Sequence, residues 1–141
     1  MYILSSLKLP ARLDSLHRII HMVSGCTKEQ RFSKQRISEI EIAVEEALVN
    51  IFEYSYAEEN GNVEVVCKLD AGNFVIEIID SGIPFNILTA KEPDITSGIS
   101  ERSIGGLGIF LIRKLMDDVR YRREGDRNIL TLVVKKPGDT S

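Results

Sequence analysis

The feature that most restricts how this chain can fold is a long helical pattern across residues 31–56. Apolar side chains recur in it at about 100° per residue and form one stripe, which consists of Ile37, Ile40, Val44, Ala47, Leu48 and Ile51. Three further apolar residues fall elsewhere on the helix surface, namely Ile42, Val49 and Phe52. A helix that is apolar on more than one side lies in the middle of a fold or contacts another subunit. The pattern therefore predicts a central helix, a subunit contact, or both.

Shorter patterns on either side of this helix predict the other elements. Residues 2–9 alternate weakly before Pro10, which is typical of a strand, and the amphipathic helix that follows is expected to end at Gly25. Two hairpins are predicted further along, with strands at residues 63–69, 74–79, 119–123 and 129–135. Turns rich in Asn, Asp and Gly reverse the chain within each hairpin.

A stretch with neither helical nor strand periodicity separates the two hairpins, at residues 81–104. A loop of this length in a compact domain is usually either a functional lid or disordered. It leads to a glycine run at 105–108 and a short helical pattern at 109–116. The whole order predicts a two-layer α/β sandwich, an α+β fold with three helices on one face of a mostly antiparallel, mixed sheet.

Length and charge limit what such a domain can do. The 141 residues suit one domain, which we assign to residues 1–136, followed by a flexible tail at 137–141. Eighteen Lys and Arg against 21 Asp and Glu give a net charge of −3, without the basic excess that nucleic-acid binding requires. No apolar run approaches the ~20 residues of a membrane span and no signal peptide is evident. We therefore expect a cytoplasmic protein with no nucleic-acid or membrane partner.

Three other groups of residues have ordinary structural interpretations. Cys26 and Cys67 lie in no metal-binding or redox motif and are expected to be reduced and buried. His17 and His21 have the spacing of a metal pair but no acidic or cysteine partner nearby in the sequence. The arginine-rich segment 120–123 is expected on a solvated strand and turn.

Polar residues on the long helix form the first candidate for a functional site. Glu46, Asn50 and Tyr54 are four residues apart, so their side chains lie on one strip of the helix beside the apolar face. Such spacing alone is typical of a solvated helix face. The strip gains a functional interpretation from the two motifs that follow it.

The first of these motifs is Asp80-Ser81-Gly82, directly after a predicted strand. A carboxylate where a strand leaves the sheet can accept a hydrogen bond from an exocyclic amine such as that of adenine, and Gly82 lets the backbone approach a flat ring. The alternative is that these three residues form only a turn.

The second motif is the run Gly105-Gly106-Leu107-Gly108 at a predicted helix start. Glycines leave backbone N–H groups uncovered, and a helix N-terminus favours negative charge, as phosphate binding requires. The run is not a Walker A motif, because no Gly-Lys-Ser/Thr follows. It also does not follow a strand, as a dinucleotide-binding fingerprint would.

Together and in this order, the three elements resemble the N-box, G1-box and G2-box of the GHKL ATPase superfamily, which has the Bergerat fold with an ATP lid. Within it the chain is most similar to bacterial anti-sigma factor serine/threonine-protein kinases, from the first strand to Lys136. The matching stretches are Glu46-Ala-Leu-Val-Asn50, Asp80-Ser-Gly-Ile-Pro-Phe85 and Gly105-Gly-Leu-Gly-Ile-Phe-Leu-Ile-Arg-Lys-Leu-Met-Asp-Asp118.

The resemblance implies roles for the helix residues. Asn50 would be the side-chain ligand of the Mg²⁺ that bridges the phosphates of ATP. Glu46, one turn away, would be the general base. Family members often have a histidine where this chain has Tyr54, a departure that bears on kinase behaviour.

The resemblance also implies a nucleotide-binding set. Asp80 would bind the adenine amine, in a pocket that Gly82 shapes. The glycine run would hold the phosphates under the lid, and a residue of the last hairpin matches a position that often touches the adenine end. These further residues are Gly105, Gly106, Gly108 and Thr131.

The family's activity would be that of an ATP- and Mg²⁺-dependent serine/threonine-protein kinase. It would phosphorylate a STAS-domain anti-anti-sigma protein and, as a homodimer, bind and control a sigma factor. The alternative is a non-catalytic ATP-binding switch that sequesters a protein partner, but Glu46 favours the kinase, because nucleotide binding alone does not need it. A sensor histidine kinase is disfavoured because no phosphoacceptor helix precedes the domain, and an ATPase of the gyrase type would need a transducer domain.

Overall fold

The computed structural model describes residues 1–54, 61–86, 88 and 104–137, and these contain three helices and five strands. In chain order they are β1 (Tyr2–Pro10), α1 (Leu13–Glu29), α2 (Lys34–Tyr54), β2 (Asn62–Asp70), β3 (Asn73–Asp80), α3 (Ile104–Leu115), β4 (Asp118–Glu124) and β5 (Arg127–Lys135). The predicted order of elements is thus confirmed. Most of the predicted lid, at 87 and 89–103, and the tail residues 138–141 lie outside the described residues.

The five strands form one sheet in the order β1-β2-β3-β5-β4. Every neighbouring pair is antiparallel. The prediction of a mostly antiparallel sheet is therefore confirmed, but within the described residues the sheet is not mixed, which differs from the prediction. Two of the pairs are hairpins. The two helices between β1 and β2 also return the chain antiparallel to its starting direction, and the long connection through α3 joins strands that are not neighbours.

One face of the sheet carries the core. Alternate residues of the central strands are buried together with the helices, and they are Val63, Val65, Cys67, Phe74, Ile76, Ile78, Leu130, Leu132 and Val134. Helix α2 packs against both α1 and α3, and Ile40, Val44 and Leu48 of its stripe are fully buried. The prediction of a central helix is confirmed, while Ile42, which is 43% exposed, lies outside the core.

Helix α1 does not end at Gly25, as its sequence predicted, but continues to Glu29. The additional turn is buried at Cys26 and Thr27, and the Thr27 hydroxyl donates to the Ser24 carbonyl at 2.7 Å. Packing of this turn outweighs the roughly 0.5–1 kcal/mol that a glycine inside a helix costs.

The helix ends instead around Arg31, whose φ of 64° is left-handed. The Arg31 N–H donates to the Lys28 carbonyl, and the Phe32 N–H donates to the Thr27 carbonyl. This pair of bonds is the Schellman motif, which usually has glycine at the left-handed position. Burial of Phe32, 7% exposed, anchors the chain where no glycine marks the helix end.

Gly25→Ala is expected to raise the free energy of unfolding by about 0.5–1 kcal/mol, because the residue lies inside a helix. A Cβ at Gly25 would have nothing within 4 Å, so no clash offsets the gain. Urea denaturation measures the effect. Gly72→Ala is the matched control and should be destabilising, since Gly72 is equally open but has a φ of 81°. A loss of stability in Gly25→Ala would mean that the helix ends at Gly25 after all.

Helix α2 begins at Lys34, three residues later than predicted, because the Ser33 hydroxyl accepts the Arg36 N–H at 3.1 Å and caps the helix. The Arg36 guanidinium donates to the Leu115 carbonyl at the end of α3 and pairs with Asp117 at 3.1 Å. The start of α2 therefore lies beside the end of α3, and the two packed helices run antiparallel.

The residues with ordinary structural interpretations lie as expected. Cys26 and Cys67 are buried and form no disulfide, and His17 and His21 are exposed on α1. Among the described residues there is no group of three or more His, Cys, Asp and Glu that could hold a metal ion. The described helices also include none that is long and apolar enough to cross a membrane.

Candidate functional site

The topology places the three motifs toward the same end of the fold. From Leu115 back to Gly105, helix α3 covers about 15 Å. Because α3 is antiparallel to α2 and the end of α3 contacts Arg36, its glycine-rich start lies beside the later turns of α2, where Glu46 and Asn50 are found. On the sheet, Asp80 is the last residue of β3 and pairs with the beginning of β2, the strand that follows α2.

Asn50 is buried, with 3% exposure, and its amide has a defined orientation. Its Nδ2 donates to the Glu46 backbone carbonyl at 2.7 Å. The flipped amide would bring two oxygens together, so Oδ1 must be the atom directed away from the helix backbone. No described residue donates a hydrogen bond to Oδ1. A buried amide oxygen held in this way has the chemistry that a hard cation such as Mg²⁺ prefers.

Glu46 is half-buried on the same turn of α2. Burial raises the pKa of its carboxyl, and the neighbouring Glu45 carboxylate raises this pKa further. Both effects disfavour the charged form, so the Glu46 carboxylate is a stronger base than an ordinary glutamate. A proton-accepting role becomes more favourable in this environment.

Asp80 is 2% exposed, and it lies on the helix-facing side of the sheet, in register with Val63 and Asn128. Its Oδ1 accepts the Gly82 N–H at 2.9 Å. The turn that the sequence offered as an alternative is therefore present, and it fixes the carboxylate rather than excluding a site. Gly82 also lies in this turn, and its carbonyl accepts from Arg123 at 2.9 Å.

Asn128 supports Asp80 from the neighbouring strand, and the sequence did not predict this contact. It is 3% exposed, and its Nδ2 donates to Asp80 Oδ1 at 2.9 Å. Its place becomes visible only through the pairing of β3 with β5, which sets Asp80 directly opposite Asn128. The two residues are 48 positions apart, so no local pattern links them.

The structure does not bring Thr131 to this group, although the resemblance implied that it touches the adenine end. It lies three residues after Asn128 on β5, and side chains alternate between the two faces of a sheet. Thr131 consequently faces away from the helices, in register with Glu77 and Arg120. There it lines a shallow depression of about 550 Å³, to which neither Asp80 nor Asn50 contributes.

Gly105, Gly106 and Gly108 lie inside the first turns of α3, which begins at Ile104 rather than at 109. Backbone N–H groups in the first turn of a helix have no intrahelical acceptor, and the helix dipole adds partial positive charge. The glycine run therefore supplies donors suited to phosphate at the point where α3 lies beside Glu46 and Asn50. The side chain of Tyr54 lies outside the described part of the structure.

A family model and several proteins of known family are similar to this chain over most of its length. The family model described as "Histidine kinase-like ATPase domain" matches residues 9–134. A protein named serine-protein kinase RsbW from Listeria monocytogenes is 32% identical over 139 residues, which cover 93% of this chain and 87% of that protein. The RsbW of Bacillus mycoides is 28% identical over 128 residues, which cover 88% of this chain and 80% of that protein.

Solved structures show the same fold at lower sequence identity. The RsbU and RsbW domains of Rv1364c from Mycobacterium tuberculosis align with a TM-score of 0.63 at 18% identity, covering 94% of this chain and 32% of that one. The histidine kinase AdeS of Acinetobacter baumannii aligns with a TM-score of 0.53 at 13% identity, covering 96% of this chain and 70% of that one. These likenesses support the two-layer α+β fold.

Proposed function

Since the chain belongs to the histidine kinase-like ATPase family, we propose that it is an ATP- and Mg²⁺-dependent serine/threonine-protein kinase that acts as an anti-sigma factor. Its substrate would be a serine or threonine of a STAS-domain anti-anti-sigma protein, and its second partner would be a sigma factor. By the same resemblance it would act as a homodimer in the cytoplasm. The relatives named serine-protein kinase RsbW, aligned over most of the chain, support this function.

The observation that carries the proposal is a carboxylate of raised pKa one turn from a buried amide whose oxygen is suited to a cation. A protein that only binds a nucleotide needs an oxygen such as Asn50 Oδ1 but no base. Glu46 is on the same helical turn as Asn50, and burial raises its pKa. This combination suits a reaction in which a hydroxyl loses its proton next to metal-bound phosphate.

The residues fit Mg²⁺ bound together with ATP rather than a cage made only of protein. Mg²⁺ prefers oxygen ligands, takes few of them from the protein and completes its shell with phosphates and water. Asn50 would supply the one protein oxygen. When bound, the ion would neutralise the charge that develops on the phosphates during transfer.

The side chains of this protein would then position and deprotonate the acceptor. The substrate hydroxyl oxygen attacks the γ-phosphorus, and its proton passes to a carboxylate oxygen of Glu46. The bond between the γ-phosphorus and the bridging oxygen breaks, and ADP leaves. Asp80 would accept a hydrogen bond from the adenine amine at the far end of the nucleotide, and the start of α3 would donate to the phosphates.

The rate of transfer is expected to fall as the pH drops below the pKa of Glu46, because a protonated carboxyl cannot accept the hydroxyl proton. The acid limb should lie above the ~4.3 of an ordinary glutamate. Glu45→Gln removes the like charge but not the burial, so the limb should move to lower pH without reaching the ordinary value. Rate–pH profiles at saturating ATP, with Glu41→Gln as control, measure both. An unmoved limb in Glu45→Gln would contradict this role of the Glu45 charge.

The function itself is tested by incubating the purified chain with Mg²⁺, γ-labelled ATP and candidate STAS-domain proteins from the same genome. We expect label on one serine or threonine of one candidate, located by peptide mass spectrometry. A variant of that partner with alanine at the labelled position should stay unlabelled. Measurable ATP binding without transfer to any candidate would refute the kinase and leave the non-catalytic switch.

A further inference from the structure

We propose that Asn128, held by the Tyr121 hydroxyl, is a positioning residue that sets the Asp80 carboxylate and the loop after β3 for adenine recognition. The inference rests on the proposed function, in which Asp80 accepts the adenine amine. Asn128 itself would not touch the nucleotide. It would act through the geometry of Asp80 and of the backbone at residues 81–85.

All four hydrogen-bonding positions of the Asn128 amide are used. Nδ2 donates to Asp80 Oδ1 and to the Ile83 carbonyl, both at 2.9 Å. Oδ1 accepts the Phe85 N–H at 3.3 Å and the Tyr121 hydroxyl. An amide offers two donors and two acceptor sites, so this buried side chain is saturated.

These partners also fix which way the amide points. Flipping it would place Oδ1 against the Asp80 carboxylate and the Ile83 carbonyl, and would set the NH₂ group against the Phe85 N–H. All three contacts would become repulsive. The Tyr121 hydroxyl can donate or accept, so the contacts with Asp80, Ile83 and Phe85 decide the orientation.

The hydrogen bonds of Asn128 lie where they can set the geometry of the candidate adenine pocket. The NH₂ group of the amide holds the Asp80 carboxylate and the Ile83 carbonyl, and the amide oxygen holds the Phe85 N–H of the same loop. Arg123 adds a second tether, donating to the Gly82 carbonyl at 2.9 Å. The β4–β5 hairpin thereby holds both the acceptor atom and the backbone that would approach the base. A site must be held to within about 0.5 Å for productive binding.

A purely structural role makes a different prediction from a positioning role. If Asn128 only satisfied backbone groups, its loss would lower stability and leave the nucleotide preference of the folded protein unchanged. If it positions Asp80, its loss must also weaken recognition of the adenine amine. ATP binding should then suffer more than GTP binding, because guanine has a carbonyl in place of that amine.

The test compares Asn128→Ala and Tyr121→Phe with Asn73→Ala, a control at the opposite end of β3. Titration calorimetry gives the Kd of the full chain for ATP and GTP with Mg²⁺, and thermal unfolding gives stability. We expect Asn128→Ala to raise the Kd for ATP by about tenfold, the effect of one lost buried hydrogen bond. The ratio of the GTP to the ATP Kd should fall, while kcat at saturating ATP changes little. Tyr121→Phe should change Kd and ratio in the same direction, but less.

The possible outcomes separate the two proposals. Failure of the wild-type chain to bind ATP would overturn the proposed function, and with it this inference. Normal ATP binding and an unchanged ATP-to-GTP ratio in both variants, even with lower thermal stability, would overturn the positioning role alone. Should Asn128→Ala not fold, Tyr121→Phe decides, because it removes one hydroxyl and keeps the ring.

Discussion

Replacing Glu46 with Gln is expected to lower the rate of phosphoryl transfer by about 100- to 10,000-fold, the usual contribution of general-base catalysis. Glutamine has nearly the same shape but cannot accept the hydroxyl proton. The KM for ATP should change little, because the nucleotide is held by other groups. Single-turnover transfer from labelled ATP to the partner protein measures the rate, and Glu41→Gln on the same helix is the matched control.

The expected effect of Glu46→Gln on stability excludes unfolding as the cause of the lower rate of transfer. The pKa of Glu46 is raised in the folded protein, first by burial and then by Glu45. Its favourable contribution to folding is therefore complete only below its unfolded pKa and is lost as the pH rises through its folded pKa. At neutral pH the ionised carboxylate opposes folding, so Glu46→Gln should be at least as stable as wild type. Lost transfer together with lower stability, or unaltered transfer, would contradict the base role.

If Glu46→Gln stabilises the protein and slows phosphoryl transfer, then Glu46 lowers folding stability and raises activity. Placing a carboxylate partly out of water costs folding free energy, and the same burial makes it more basic. Among the ion pairs of the described residues, none involves the Glu46 carboxylate. The cost is explained if the protein uses the proton affinity of Glu46.

The parts of the fold that depend on neighbours in sequence could be predicted. The stripe through Ile40, Val44 and Leu48 predicted a buried central helix, because burial of a helix face needs only the right periodicity. The end of α1 could not be predicted from the glycine rule. There, burial of Phe32 places Arg31 in a left-handed conformation, and packing carries the helix past Gly25.

The candidate site shows the same division between local and non-local information. Glu46 and Asn50 share a helical turn, and Asp80 ends a strand, so each could be singled out from its own segment. Asn128 becomes part of the site only because β5 pairs with β3 in one register. A shift by one residue would turn Asn128 to the other face, and because β5 is buried on both faces its apolar pattern does not indicate which register is used. Thr131 was selected by resemblance alone, and the register places it on the opposite face.

Asp80→Asn is expected to weaken ATP binding by about 10- to 100-fold, the range for losing a hydrogen bond to a charged acceptor. The two groups that donate to Asp80 determine how the new amide is oriented, and therefore why binding weakens. The Gly82 N–H and Asn128 Nδ2 both donate to Oδ1, so they will orient the oxygen of the new amide toward themselves. Its NH₂ group then takes the place of Oδ2, where it would oppose the proposed adenine amine as donor against donor.

That orientation makes nucleotide preference a sharper readout than affinity. The guanine carbonyl is an acceptor and can meet the new NH₂ group, so Asp80→Asn should lose less affinity for GTP than for ATP. Titration calorimetry with both nucleotides measures the ratio, and Asp70→Asn, the same change at the other end of the β2–β3 hairpin, should leave it unaltered. Unchanged ATP affinity, or equal losses for both nucleotides, would show that Asp80 is a turn residue and that adenine is recognised elsewhere.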